Sequence, residues 1–494
     1  MSNPIKKLAG QTAVYGLSSI VGRLLNYLLV PIYVTAFAAT EDYGQVSDLY
    51  AMIAFLMVLL TFGMETAYFR FLHKHENAEM VFRNAFLSVI MVNLSFLLVI
   101  IIFHPWIADL LLYPENPEYI ILFSLIVVVD AIGALPLAKL RAKEKAGKFA
   151  VVQLTSIAVN IGLNLILMLL VFDSSIHPAE MGVRFILIAN LVASLVKPAL
   201  LYKDFTQLKW MFDFTLVKAM ARYSFPLAIA GLAFVINETI DRVLLKHVSY
   251  HDLMAEFDKE KALKMAESRV GIYSANYKLA MLVTIFLQAY RYAAEPFFFA
   301  QSKSENRNRT YVKVMNYFVA AVFLCFLAVS LNLDIFKYFI PNDDYWVGLS
   351  VVPILLLANV FSGIYVNQSI WYKLSGQTRF GAYIASGGAI LTIGLNIAFI
   401  PFYGYMACAW VTFFVYGGQM VASYLLGQRH YPIPYNLRKF ALYSIVALSI
   451  YGLLEWINIP LSWTQLIVHN TLILLFVALV WFMEKPRVIR DQRT

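Results

Sequence analysis

Three charged residues, Glu238, Asp241 and Arg242, lie inside one long apolar run, and Lys278, Arg291 and Glu295 lie inside the next. An ionised side chain at the centre of a bilayer costs roughly 2.5 to 3.5 kcal/mol on insertion scales, so such residues face a bundle interior or a wet cavity. Gathered on neighbouring spans with both signs present, they point to a path for a charged or strongly polar solute. Glu238 and Asp241 are three residues apart and share a helix face with Arg242 beside them. That face either binds a coupling cation, H+ or Na+, and releases it during movement, or it holds a fixed ion pair and one protonated acid. Asp130, deep in an earlier run, is a second coupling candidate and Glu65 a third.

The candidate cargo contacts are cations and one tyrosine. Arg23 sits halfway along the first run, either paired with a neighbouring carboxylate or facing a cavity, where its planar fork suits phosphate. Lys278 precedes Arg291 by about 20 Å of helix rise and has no evident partner on its own helix, so it either faces a cavity, the favoured reading, or pairs with a group on another helix. Arg291 and Glu295 are one turn apart and either neutralise each other or leave Arg291 for cargo. Tyr277, with Tyr273 and Tyr290 nearby, offers a flat face and a hydroxyl of the sort that line sugar paths, although packing is the default use of membrane aromatics.

The elements that must position these residues follow from composition. The 494 residues are 61% hydrophobic and 14% charged, against about 45–50% and about 25% in soluble domains, which makes this an integral membrane protein. At about 20 residues per span, hydropathy predicts about fourteen transmembrane helices. One set of alternate connections is rich in Lys and Arg, as in LAKLRAKEKAGK and QSKSENRNR, whereas the other reads TEDYG, YPENPEY and PNDDY. The net charge of +9 therefore reports topology, with both termini cytoplasmic, and not a nucleic-acid partner. The first run is too long for a signal-peptide core and contains Arg23, so it is expected to remain as the first span. The segment HDLMAEFDKEKALKMAESR reads as a short amphipathic helix lying on the outer surface between the seventh and eighth spans.

The two halves carry a repeated pattern. Gly44-x-x-Ser47-x-x-Tyr50 recurs as Gly271-x-x-Ser274-x-x-Tyr277, and Ile161-Gly162-Leu163-Asn164 recurs as Ile393-Gly394-Leu395-Asn396, at nearly one offset and in the same chain order. The fold class expected is thus all-α, with two pseudo-symmetric six-helix lobes, 1–208 and 209–430, and a further helix pair and tail at 431–494. Parallel repeats place a site at their interface near the midplane. Cys325 and Cys408 sit in apolar runs and imply no disulfide or metal, and no catalytic motif or nucleotide-binding loop is present. The largest outer connection is also too short for a polymerase or ligase with a catalytic outer loop.

This architecture, the Gly-x-x-Ser openings of the second and eighth spans and the run LNIAFIPFYGYMACAWVT resemble the polysaccharide-export flippases of the O-antigen and capsule type. These belong to the superfamily that also contains multidrug and toxin extruders and lipid II flippases. The resemblance implies a monomer in the bacterial cytoplasmic membrane that flips an undecaprenyl-diphosphate-linked oligosaccharide through a cationic cavity, driven by an ion gradient and working beside other polysaccharide assembly proteins. It implies no cofactor. Arg23 matches the cavity arginine that lipid II flippases carry in the first span. The acidic coupling residue common in the first span of drug extruders has no counterpart between Gln11 and Ala39, which weighs against a multidrug cation antiporter.

Overall fold

A computed structural model describes residues 21–22, 24–72, 74–206, 211–302, 304–457 and 462–485, with side chains except at 289, 292, 293, 295, 296, 299 and 300. The described residues form helices and connections, with no strand among them. In chain order the long helices are α1 (Leu24–Ala36), α2 (Thr40–Leu72), α3 (Ala78–Leu110), α4 (Glu118–Ala142), α5 (Ala146–Val171), α6 (Ala179–Leu200) and α7 (Phe214–Leu253). They continue as α8 (Lys259–Gln301), α9 (Arg307–Ser330), α10 (Val351–Leu374), α11 (Arg379–Tyr403), α12 (Tyr405–His430), α13 (Leu437–Ile457) and α14 (Trp463–Glu484). Thirteen among the described residues are long and apolar enough to cross a membrane, and α1 is shorter. The all-α membrane architecture is the one hydropathy predicts.

Polar residues punctuate these apolar runs where orphan amides need partners. The Asn77 side chain accepts from the Met80 amide at the start of α3, Asp213 accepts from the Thr215 and Leu216 amides at the start of α7, and Ser462 accepts from Gln465 before α14. Helix α2 is broken at Phe62 and Gly63, both with positive φ (34° and 69°). Gly63 is required there for a second reason, since a β-carbon on it would sit 2.9 Å from the Ser224 carbonyl oxygen of α7.

The surface helix expected between the seventh and eighth spans is not formed. Helix α7 runs on through Leu253, and α8 begins at Lys259 after a short link. Asp258 caps the new helix by accepting from the Lys261 amide, and Ala262 and Ala266 bury against Leu253 with Phe257 alongside. The segment is therefore the tip and second arm of a helical hairpin, and one of its polar residues, Glu267, is buried.

The sequence repeat is visible in side-chain roles. Asn164 of α5 and Asn396 of α11 are both fully buried, and each donates through Nδ2 to a carbonyl four residues back at 2.8 Å. Asn164 also accepts from Tyr33 of α1 at 2.9 Å, while Thr392, the carbonyl partner of Asn396, donates its hydroxyl to Asn237 of α7 at 3.0 Å. Packing groups the chain into two compact units: Met1–Asn276 with Ile340–Gly348 and Ala385–Val411, and Tyr277–Phe339 with Leu349–Ile384 and Thr412–Thr494. This division follows contacts, whereas the boundaries at 208 and 430 follow the repeat. In the first unit, α2 and α7 lie against each other, and a core of Met64, Tyr68, Phe82, Phe86, Leu135 and Met220 joins α2, α3, α4 and α7. In the second, Phe298, Tyr311, Ile370 and Ile433 form a core.

The two repeated glycines meet. A β-carbon on Gly44 would lie 2.0 Å from the Glu267 carbonyl oxygen, and one on Gly271 would lie 2.0 Å from the Thr40 carbonyl oxygen. Helices α2 and α8 thus touch backbone to backbone. Alanine in place of glycine gains about 1 kcal/mol of helix propensity, but here the obstacle is main chain and cannot rotate away. Gly44→Ala and Gly271→Ala are each expected to lose about 1–3 kcal/mol of stability, and Gly162→Ala, with open space around it, is expected to lose none. Thermal unfolding of the three detergent-solubilised variants checks this, and a Gly44→Ala protein as stable as the parent would contradict the contact.

Candidate functional site

Beside the glycine crossing the structure buries a group of charges. Lys246 of α7 is fully buried, with Nζ 3.0 Å from Glu267 Oε1 of α8 and 3.6 Å from Asp48 Oδ2 of α2. Glu267 is 3% exposed and Asp48 0%. The ammonium also lies 3.3 and 3.4 Å from the Leu112 and Leu111 carbonyls and 3.3 Å above the centre of the Tyr113 ring. Gln45 donates to Glu267 Oε2 at 2.9 Å, and Tyr113 donates to Asp48 Oδ2 at 2.8 Å. Burial, followed by the Asp48 carboxylate, pushes the Tyr113 phenol well above its ordinary value, so it stays a donor. Asp48 Oδ1 has no hydrogen-bond partner among the described residues. A hydroxyl pair, Thr40 and Ser268 at 2.6 Å, completes the crossing.

None of these three charged residues stands out in the sequence as a site. Lys246 lies at the end of an apolar run, Glu267 falls in the segment expected to lie on the surface, and Asp48 lies near the start of the second span. One signal was present: Asp48 follows Ser47 of the repeated Gly-x-x-Ser, and Glu267 lies one turn before Gly271.

The coupling candidates are placed as follows. Asp241 is 4% exposed, and its Oδ1 accepts from the Arg242 guanidinium at 3.0 Å and the Arg242 amide at 2.9 Å, while Oδ2 accepts from Tyr273 at 2.6 Å. Arg242 donates further to the Glu238 carbonyl at 2.9 Å, and Glu238 itself is half-buried. This is the geometry of the fixed ion pair. Asp130 of α4 pairs with Lys197 of α6 at 2.8 Å, each side chain about a fifth exposed. The two residues are 67 positions apart, and nothing in the sequence links them. Glu65 pairs with Arg141.

Of the cargo candidates, Arg23 lies outside the described residues. Tyr277 is buried and Lys278 half-buried, both in the second unit. Arg291 is exposed and lines a small pocket with Tyr290, Asn367, Ser369 and Lys373, of about 20 Å³. There the Asn367 amide donates to the Tyr290 hydroxyl at 2.5 Å. Two cations and three hydrogen-bonding groups thus converge between α8 and α10, a set suited to an anion. The described residues contain no group of His, Cys, Asp and Glu arranged to hold a metal ion.

The described residues thus form a multi-span helical bundle with buried charge and a repeated half. Residues 8–302 match the family described as polysaccharide biosynthesis protein, and the chain belongs to that family. A Haemophilus influenzae protein of the Lsg locus is 20% identical over 301 residues, 60% of this chain and 68% of that protein. Among solved structures, the lipid II flippase MurJ in an inward closed conformation has a TM-score of 0.68 at 14% identity, covering 94% of this chain and 98% of that one. An inward-facing multidrug resistance MATE family transporter of the MOP superfamily has a TM-score of 0.59 at 15% identity, covering 83% and 94%. The family is one of polysaccharide biosynthesis, and the fold is shared with a flippase and a transporter.

Removing one partner of a buried pair leaves the other charge uncompensated, at about 3–5 kcal/mol. Arg242→Met is therefore expected to destabilise the protein by that amount, and Asp241→Asn combined with Arg242→Met is expected to recover more than half of the loss. Denaturant titration of the single and double variants reads the difference, and equal losses in the two would contradict the pairing as the source of the cost.

Proposed function

We propose that the protein flips an undecaprenyl-diphosphate-linked oligosaccharide across the bacterial cytoplasmic membrane for surface polysaccharide assembly, by alternating access coupled to a cation gradient. The observation that carries this reading is the convergence of Arg291 and Lys373 with Tyr290, Asn367 and Ser369 at one pocket, in a chain of the polysaccharide biosynthesis family. A diphosphate is matched by a guanidinium fork and a second point charge, and hydroxyl and amide groups suit the sugars that follow it. The likeness to a flippase named for a lipid-linked cargo supports the same class.

At about 20 Å³ the pocket admits roughly one water, so it has to widen to receive a headgroup. Lys278, Arg23 and Tyr277 are the further cargo contacts in this reading, and Glu238 with Asp130 and Asp241, whose pairs with Lys197 and Arg242 have to open for it, are the groups that take the coupling cation, H+ or Na+. The protein acts as a monomer with both termini in the cytoplasm, beside other assembly proteins. The likeness to a MATE transporter makes export of an organic cation the rival, but a pocket lined by two cations repels such a cargo.

Arg291→Ala and Lys278→Ala are each expected to cut surface polysaccharide at least about tenfold, as loss of one charge-assisted contact of about 1.5–3 kcal/mol implies, at unchanged protein level in the membrane. Immunoblotting of surface polysaccharide in cells carrying each variant reads this. Normal polysaccharide in both would remove the cargo assignment.

A further inference from the structure

The buried cluster of Lys246, Asp48 and Glu267 has a charge imbalance. Two carboxylates face one ammonium, all three side chains at 3% exposure or less. The ammonium is further drawn by two carbonyl oxygens and an aromatic face, so its neighbours are electron-rich on every side. The other charged and titratable groups do not restore the balance. On α2, Asp42 is also within electrostatic range of Glu267. Tyr113 is a neutral donor, and Tyr119 of α4 stacks edge-on behind it. On α7, Arg242 is committed to Asp241 and the Glu238 carbonyl, and His247 to the Val243 and Leu110 carbonyls. On α8, Arg269 donates to Ser249.

A net negative charge in a dry interior is costly unless a proton or a cation neutralises it. The position of one neutralising hydrogen is indicated by Asp48 Oδ1, a fully buried carboxylate oxygen with no hydrogen-bond partner among the described residues. Oδ2 of the same group is occupied by Tyr113. An oxygen that cannot be hydrated and has no donor is the one that best carries its own proton. Glu267 is different, with both oxygens engaged, by Lys246 and by Gln45.

We propose that Asp48, with Glu267 and Lys246, forms a proton-binding site whose occupancy holds the α2–α8 glycine crossing closed. With one proton bound the cluster is neutral and the backbones of Gly44 and Gly271 stay in contact. Loss of the proton leaves one net negative charge, and separating the helices lets water reach it. The site names the proton as the coupling cation of the proposed transporter and rests on that reading only for this use. The closure equilibrium itself is measurable without any cargo.

The test uses the full chain in lipid nanodiscs with Cys325→Ser and Cys408→Ala, and spin labels at Glu115→Cys and Glu256→Cys. Both label positions are exposed, Glu115 in the link that carries Tyr113 and Glu256 in the link between α7 and α8. Electron–electron distance measurements are made from about pH 5.5 to about pH 8.5. A single linked proton changes the ratio of closed to open molecules about tenfold per pH unit above the folded-state pKa. The short distance is thus expected to dominate at the acid end and to give way to a longer one as pH rises. Asp48→Asn and Glu267→Gln, which remove the charge and keep the shape, are expected to hold the short distance throughout. A parent distance distribution that does not change over this range, or parent-like titration in both variants, overturns the proposal. A flat titration in protein that still flips cargo would overturn the proton site alone and leave the transport reading standing.

Discussion

Two helices can bring their backbones into contact only where neither carries a β-carbon at the closest point, and this chain meets that condition with Gly44 on α2 and Gly271 on α8. The contact excludes water from what lies next to it. Lys246, Asp48 and Glu267 are buried because the crossing is close, and their mutual attraction is strong because the crossing is dry. The same closeness makes the arrangement sensitive, since a buried cluster that does not balance its charge favours any rearrangement that hydrates it. A packing constraint and an electrostatic one are therefore the same feature.

Elsewhere the charges are better matched. Asp241 receives three hydrogen bonds, Asp130 has Lys197, and Lys139 bridges Glu79 and Asp204 at 3.1 and 2.9 Å. Such satisfied groups fix helix positions. The groups that suit a ligand are the cations Arg291 and Lys373 that line one pocket, and the carboxylate in excess at the crossing. A transporter of an anionic lipid headgroup needs both kinds, one to attract cargo and one whose state changes with an ion gradient.

Most of the architecture was legible because it rests on hydropathy, the strongest signal in a membrane chain. Among the described residues the apolar runs are helices, and the repeated Asn164 and Asn396 turn out to make the same bond. The charged cluster was not legible. Its members lie near span ends, where hydropathy treats charge as ordinary, and only the folded hairpin of α7 and α8 carries Lys246 and Glu267 to Asp48. The expected surface helix failed for the same reason, since an amphipathic pattern does not say whether its apolar side meets lipid or a neighbouring helix. The repeated Gly-x-x-Ser was read as a sign of duplication, and the structure adds that the two copies touch.

The central claim, that this chain carries a diphosphate-linked glycan from one leaflet to the other, is tested most directly with purified protein in sealed proteoliposomes containing a fluorescent undecaprenyl-diphosphate oligosaccharide. An impermeant reductant added outside bleaches only probe in the outer leaflet. With the protein present and a cation gradient imposed, bleaching is expected to continue well past the fraction reached in protein-free vesicles as inner-leaflet molecules are delivered outward. Bleaching that stops at the protein-free level, with or without a gradient, would contradict the account.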